Sequence, residues 1–182
     1  VRTLVALPEG TIATVGRYLS RALYTAEDVV HQAKTAAANA RGIPDEGAVG
    51  AMAASVRSCA EAVSTRIAGR MRVLGLEVDW TIDAISRGSS LQPFPRDLRD
   101  GAKAIALLAE NVLSLDLVLR EVLGQVAQVD PVSAYLLTNA LLAYEEQLDA
   151  AGLLALVASR DPEEAVLAVG TEALEVLEVQ GG

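Results

Sequence analysis

Two tight helix-to-helix turns, with one long connection between them, limit what this chain can fold into. "NARGIPDEG" (39–47) passes from a first helical pattern to a second in a few residues, and "QVDP" (128–131) passes from a third to a fourth. Between the second and third patterns lies "LEVDWTIDAISRGSSLQPFP" (76–95), about 20 residues in which Pro93 and Pro95 forbid regular helix. Short connections make the helices they join antiparallel neighbours. The long one is enough to run back along the length of a bundle.

The helices themselves are read from apolar spacing and from start and stop signals. Residues 11–42 carry Val15, Leu19, Leu23, Ala26, Val30 and Ala33 near every third or fourth place and end at Gly42, a C′ glycine. The second helix is predicted from Pro44, with Asp45 and Glu46 in its positively polarised first turn, to about residues 74–75. In the crossover, Asp79 can cap a short helix over 80–86 that Gly88 stops. A third long helix is predicted over 96–126. Asp130 as N-cap and Pro131 at the first helical position open a fourth, to about residue 159.

Asp161 and Pro162 repeat that start signal, with Glu163 and Glu164 following in a capping-box arrangement. The segment has an apolar stripe of Val166, Val169, Ala173 and Leu177, five glutamates and no basic residue. The prediction is therefore all-α: a ferritin-like four-helix bundle over 1–160 with a short helix in the long crossover, and an additional C-terminal helix over 161–182. That last helix is expected to pack on a neighbouring subunit.

Composition agrees with helices. Hydrophobic residues make up 52% of the chain and aromatics only 3%, so the core must be built from Ala, Val and Leu rather than from the aromatic and β-branched residues a sheet favours. Mean hydropathy is +0.33, yet no apolar run reaches the roughly 18 uncharged residues of a membrane span. So much apolar surface implies burial at subunit contacts as well as in a core, hence a homo-oligomer without a membrane role. A net charge of −9 repels nucleic acid, which argues against DNA binding. The single cysteine, Cys59, reads as a small buried hydrophobe. With no signal peptide visible, it fits a reducing cytoplasm.

Four stretches resemble the Dps proteins, or mini-ferritins. "KTAAANARG" is similar to that family's Lys-x-x-His-Trp-Asn-x-Arg-Gly through Lys34, Asn39, Arg41 and Gly42. "IAGRMRVLG" resembles its Ala-Glu-Arg followed by Leu-Gly, through Ala68, Arg70, Leu74 and Gly75. The crossover resembles its short helix and Leu-x-x-Tyr/Phe-Pro ending. "DPVSAYLLTNALLAYEEQLD" resembles its last helix loosely, through Asp130, Leu136, Leu137 and Thr138.

The resemblance implies a twelve-subunit shell that stores iron as mineral and protects against stress. It also implies a ferroxidase site of two His, two Asp and one Glu shared by two subunits. Matched residue by residue, those five ligands fall on Ala37, Gly50, Ala54, Thr65 and Gly69. Iron needs carboxylate or imidazole donors at such a site, and these residues offer none. Gly69 poses the question most sharply, because glycine inside a helix costs about 1 kcal/mol relative to alanine. The reading is a divergent shell-forming member that has lost the intersubunit oxidation site. It would take iron as stored cargo, alone or beside a second paralogous subunit.

Two alternatives are kept: a catalytic mini-ferritin with displaced metal ligands, and a DNA-protecting protein. For displaced ligands the candidates are His31, the only histidine, with Asp28 and Glu27 at i−3 and i−4. Asp130 is a candidate for lining a cation pore where three subunits meet. Glu110, Asp116, Glu121, Glu145, Glu146 and Asp149 could face mineral or simply solvent. Trp80 is expected to anchor a dimer contact.

Overall fold

The computed structural model describes residues 7–150 and holds five helices there: α1 (Glu9–Asn39), α2 (Glu46–Val73), α3 (Ile82–Gly88), α4 (Gly101–Val126) and α5 (Pro131–Ala150). The predicted end of the fourth helix near residue 159 and the C-terminal helix over 161–182 lie outside the described residues. α1 lies against α2, α3 and α4, while α5 lies against α2 and α4. Tyr18 meets Gln125, Arg21 meets Glu121 and Gln32 meets Asn111, so α1 and α4 run antiparallel. Four long helices thus form the bundle, and the crossover carries α3 up the side of α1.

The core is aliphatic, as composition requires. Leu19, Leu23 and Val29 of α1 meet Met52, Val56 and Ile67 of α2, Leu108, Leu115 and Leu119 of α4, and Leu137 and Leu148 of α5, all buried. Alanines 22, 26 and 33 on α1 and Ala60 on α2 are buried among them. Small residues bring helix axes close, which lets a core with few aromatics reach the packing density of an ordinary interior.

The helix ends differ from expectation in ways local chemistry explains. α1 begins at Glu9 rather than residue 11, because the Pro8 carbonyl accepts the amides of Thr11 and Ile12 at 2.9 and 3.0 Å. Its cap is Ala40, so Gly42 (φ +78°) falls one position past C′; its amide donates to Glu46 Oε2 at 2.8 Å. α2 starts at Glu46, not Pro44, and Asp45 makes no side-chain cap bond. α2 ends near the predicted residues 74–75: Gly75 (φ +73°) stands at C′, with Gly75 N to Arg72 O and Leu76 N to Met71 O bonds closing a Schellman motif. The cap of α3 is Thr81, whose hydroxyl accepts the Ala84 amide at 3.2 Å, so the helix begins at Ile82. Asp79 acts one step earlier, accepting the Thr81 amide at 3.0 Å. α4 begins at Gly101 rather than residue 96, with Asp100 capping the Lys103 amide at 3.0 Å.

Polar side chains fasten the crossover. Gln32, on α1, donates to the Gln92 carbonyl at 3.0 Å and accepts from Asn111 of α4 at 2.9 Å. Asn39 donates to the Pro95 carbonyl at 3.0 Å, and Arg99 donates to the carbonyls of Asn39 and Arg41. Gly88 permits the close seat of α3 on α1: a Cβ there would lie 2.2 Å from a ring carbon of Tyr24.

Among the described residues one ion pair is fully buried. Arg70 of α2 donates to Asp130 at 2.7 Å, with the two residues 6% and 2% exposed. Arg70 Nε also donates to the Ser133 hydroxyl at 2.8 Å, and that hydroxyl donates in turn to Asp130. The other Asp130 oxygen accepts the Val132 amide at 3.2 Å, so the carboxylate caps α5 as predicted. Burial pushes the Asp130 carboxyl upward. The bonds from Arg70 and Ser133 and the Arg70 charge outweigh that and hold it below its ordinary value.

Three substitutions check this packing. Gly88→Ala should lower stability in urea melts by about 1–3 kcal/mol through overlap with Tyr24. Gly69→Ala, where a Cβ meets nothing within 4 Å, should raise it by about 0.5–1 kcal/mol. Asp130→Asn leaves Arg70 buried and uncompensated and should cost about 3–5 kcal/mol at neutral pH. Because the folded carboxyl is depressed, its contribution is complete above the unfolded pKa of about 3.9 and is lost as pH falls through the folded value. The gap between wild type and Asp130→Asn should therefore begin to narrow at about pH 4 and close as pH falls through the folded value.

Candidate functional site

The five positions matched to iron ligands lie on α1 and α2. On α2 the spacing of 50, 54, 65 and 69 places all four within about 100° of one helical arc. Ala54 and Thr65 are exposed, and Ala37, Gly50 and Gly69 are half-buried. A Cβ built on Gly50 or Gly69 meets nothing within 4 Å. Neither glycine is there to admit a neighbouring element of its own chain. Thr65 adds a neutral hydroxyl, and the one carboxylate on the same arc, Glu61, faces Arg57 at 3.7 Å. This set does not fit resident iron, which wants several carboxylate or imidazole donors converging on a point.

The displaced-ligand candidates are each engaged elsewhere or stand apart. Glu27 accepts the hydroxyl proton of Ser64 on α2. Asp28 accepts from Gln32 at 3.3 Å, joining the amide that fastens the crossover. His31 is half-buried on the next turn. Among the described residues no three His, Cys, Asp or Glu side chains converge to hold a metal ion, so these three are not brought together within one chain.

Asp130, the pore candidate, has its carboxylate committed to Arg70, Ser133 and the first turn of α5. Of the six spaced carboxylates, Asp116 and Glu145 share Arg120, and Glu121 is bound to Arg21 at 2.6 Å, which holds its carboxyl below the ordinary range. Glu110, Glu146 and Asp149 form no ion pair among the described residues. Cys59 is buried, and burial pushes its thiol up, away from the reactive thiolate. Near it Tyr144 is buried with its hydroxyl on the Val112 carbonyl, its pKa raised by burial first and then by Cys59 and Asp116. Trp80 stands exposed beside Ile82 on the crossover, where it is free to meet another surface. A groove of about 490 Å³ between α1 and the α2–α3 connection has Gly16, Met71 and Leu76 along its floor and Arg17, Arg21 and Glu77 at its rim.

Sequence reasoning missed the Arg70–Asp130–Ser133 and Gln32–Asn111 networks. A signal for the first existed: Arg70 occupies the same buried register as Val63, Ile67 and Leu74, where a lone charge demands a partner.

No family model and no curated protein matches the chain. Solved structures do. A Dps1 mutant of Mycobacterium smegmatis is 20% identical with a TM-score of 0.71, covering 83% of this chain and 99% of that one. Dps from Microbacterium arborescens, in its high iron form, is 21% identical with a TM-score of 0.72, covering 86% and 100%. A tetragonal form of M. smegmatis Dps gives 20% and 0.70 over 81% and 90%. Helix order, the long crossover with its short helix and the near-complete overlap together give this chain the Dps fold, a ferritin-like four-helix bundle.

Proposed function

We propose that the chain is the subunit of a Dps-type shell that holds iron as cargo without oxidising it at an intersubunit site. Twelve copies would enclose the store, and iron kept inside would be withheld from peroxide, which is the protective role. The apolar surface left on one chain supports assembly: Trp80 and Ile82 on the crossover and Leu113 and Leu117 on α4 are exposed. Net charge favours cations over nucleic acid as cargo. No described helix is long and apolar enough to cross a membrane, and we place the protein in the cytoplasm.

The observation that carries the reading is the pair Gly50 and Gly69. Both stand on the α2 arc matched to ligands, with open space beyond their Cα atoms. Nothing in the packing of the chain calls for glycine there. Loss of a metal-binding duty accounts for it, because an outward position with no ligand to present tolerates the weakest helix former other than proline. Iron would then arrive already oxidised, or be oxidised by a second, paralogous subunit in the same particle. The reading with displaced ligands is less well supported, since Glu27 and Asp28 are spent on Ser64 and Gln32.

Anaerobic loading with iron(II) followed by oxygen tests this. The protein should oxidise iron no faster than buffer alone, and His31→Ala should change nothing. Rapid protein-dependent oxidation would contradict the proposal, and its loss in His31→Ala would move the chemistry to the Glu27–Asp28–His31 side of α1.

A further inference from the structure

The groove between α1 and the α2–α3 connection gathers polar groups that the chain itself leaves without partners. Gly16, Arg17, Ser20 and Tyr24 line it from one arc of α1, within about 100° of one another. Met71 and Leu76 add an apolar floor, and Glu77 a carboxylate. The walls are set by packing inside the chain. A Cβ on Gly16 would lie 2.8 Å from a methyl of Leu76, and one on Gly88 would lie 2.2 Å from the ring of Tyr24. The groove's volume of about 490 Å³ is that of a small-molecule cleft, roughly 300–1,000 Å³.

Arg17 follows Gly16 and Glu77 follows Leu76, so the Gly16–Leu76 contact brings a cation and an anion to the same groove. Both are exposed, yet neither forms an ion pair with the other or with any other described residue. Arg21, at the rim, is already neutralised by Glu121 at 2.6 Å. The hydroxyls of Ser20 and Tyr24 also bond to nothing among the described residues. On the same helix Thr14, Thr25 and Thr35 donate to carbonyls one turn back, and Tyr18 reaches Gln125. A lone anion in the groove would meet Glu77, and a lone cation would meet Arg17. A molecule that carries both charges close together on an apolar body satisfies the two and covers the floor.

We propose that this groove binds a free α-amino acid with an apolar side chain. Arg17 and the Ser20 hydroxyl hold its carboxylate, Glu77 holds its ammonium group, and its side chain lies on Met71 and Leu76. The charge-assisted bonds supply orientation, and the apolar floor selects for the side chain. The site is separate from the positions matched to iron ligands: Tyr24 lies about 20 Å along α1 from Ala37. Its failure would leave the shell reading untouched.

Isothermal titration calorimetry of the full chain tests the proposal, with L-leucine as the probe. Leucine should bind. Glycine lacks the side chain, N-acetyl-leucine the ammonium and leucinamide the carboxylate, and each should bind at least roughly tenfold more weakly. Arg17→Ala should weaken leucine by about tenfold and remove its advantage over leucinamide, and Glu77→Ala should remove its advantage over N-acetyl-leucine. Both side chains are exposed, so the fold should survive either change. Absence of leucine binding, equal binding of all four probes, or an affinity unchanged in both variants would overturn the proposal. So would a smaller solution mass in either variant, which would give Arg17 and Glu77 to a contact with a neighbouring chain.

Discussion

The buried contact between Arg70 and Asp130 is the interaction on which the arrangement of helices depends. An aliphatic core favours compactness but discriminates weakly between one register of packed helices and another. A charged pair inside it is different. Taking two ions out of water costs several kcal/mol each unless geometry and hydrogen bonds offset it. Here Ser133 and the Val132 amide complete the set at 2.8 and 3.2 Å from their partners. Only one placement of α2 against the α4–α5 turn satisfies all four groups. The pair selects a register more than it adds stability, and the Gln32–Asn111–Gln92 network does the same for the crossover at the middle of the bundle.

The positions through which this chain resembles the mini-ferritins divide by role. Asn39 and the Arg41 carbonyl hold the end of the crossover, Gly42 and Gly75 turn the chain at positive φ, and Arg70 and Asp130 lock α2 to α5. These serve the fold. The five positions matched to metal ligands are exposed or half-buried, outside the aliphatic core. One helix, α2, therefore carries structural duty on its inner face, while its outer arc holds the positions matched to ligands. Substitutions on the outer arc leave the core untouched, so an oxidation site can be lost while architecture persists. That separation is why a fold at about 20% identity remains recognisable and why fold alone does not assign activity.

Much of the architecture was legible because it is written in local signals. Pro131 with Asp130, Gly75, and the prolines of the crossover mark starts and stops through backbone chemistry that neighbours in sequence settle by themselves. The misplaced boundaries share one cause. At Glu46, Ile82 and Gly101 two or more residues could cap or start a helix; Thr81 and Asp100 won through bonds to the Ala84 and Lys103 amides, and Gly101 also lies so close to Asp45 that a Cβ would be 2.5 Å from it. At the five positions matched to ligands the sequence carries no carboxylate or imidazole, which needs no geometry to notice. The fates of Glu27, Asp28 and the α4 and α5 carboxylates were only partly legible. Glu27, Glu121 and Glu145 find Ser64, Arg21 and Arg120 on other helices, where no local pattern couples them, while Asp28–Gln32 and Asp116–Arg120 are i,i+4 pairs.

The central claim joins two statements, that these bundles close into a shell and that its old oxidation pocket presents no ligands. Native mass spectrometry of the protein after anaerobic exposure to iron(II) addresses both at once. The account predicts a particle of twelve 19.0 kDa chains carrying no fixed complement of iron per subunit pair. A species of one or two chains, or a particle with iron bound in stoichiometric proportion to its subunit pairs, would contradict it.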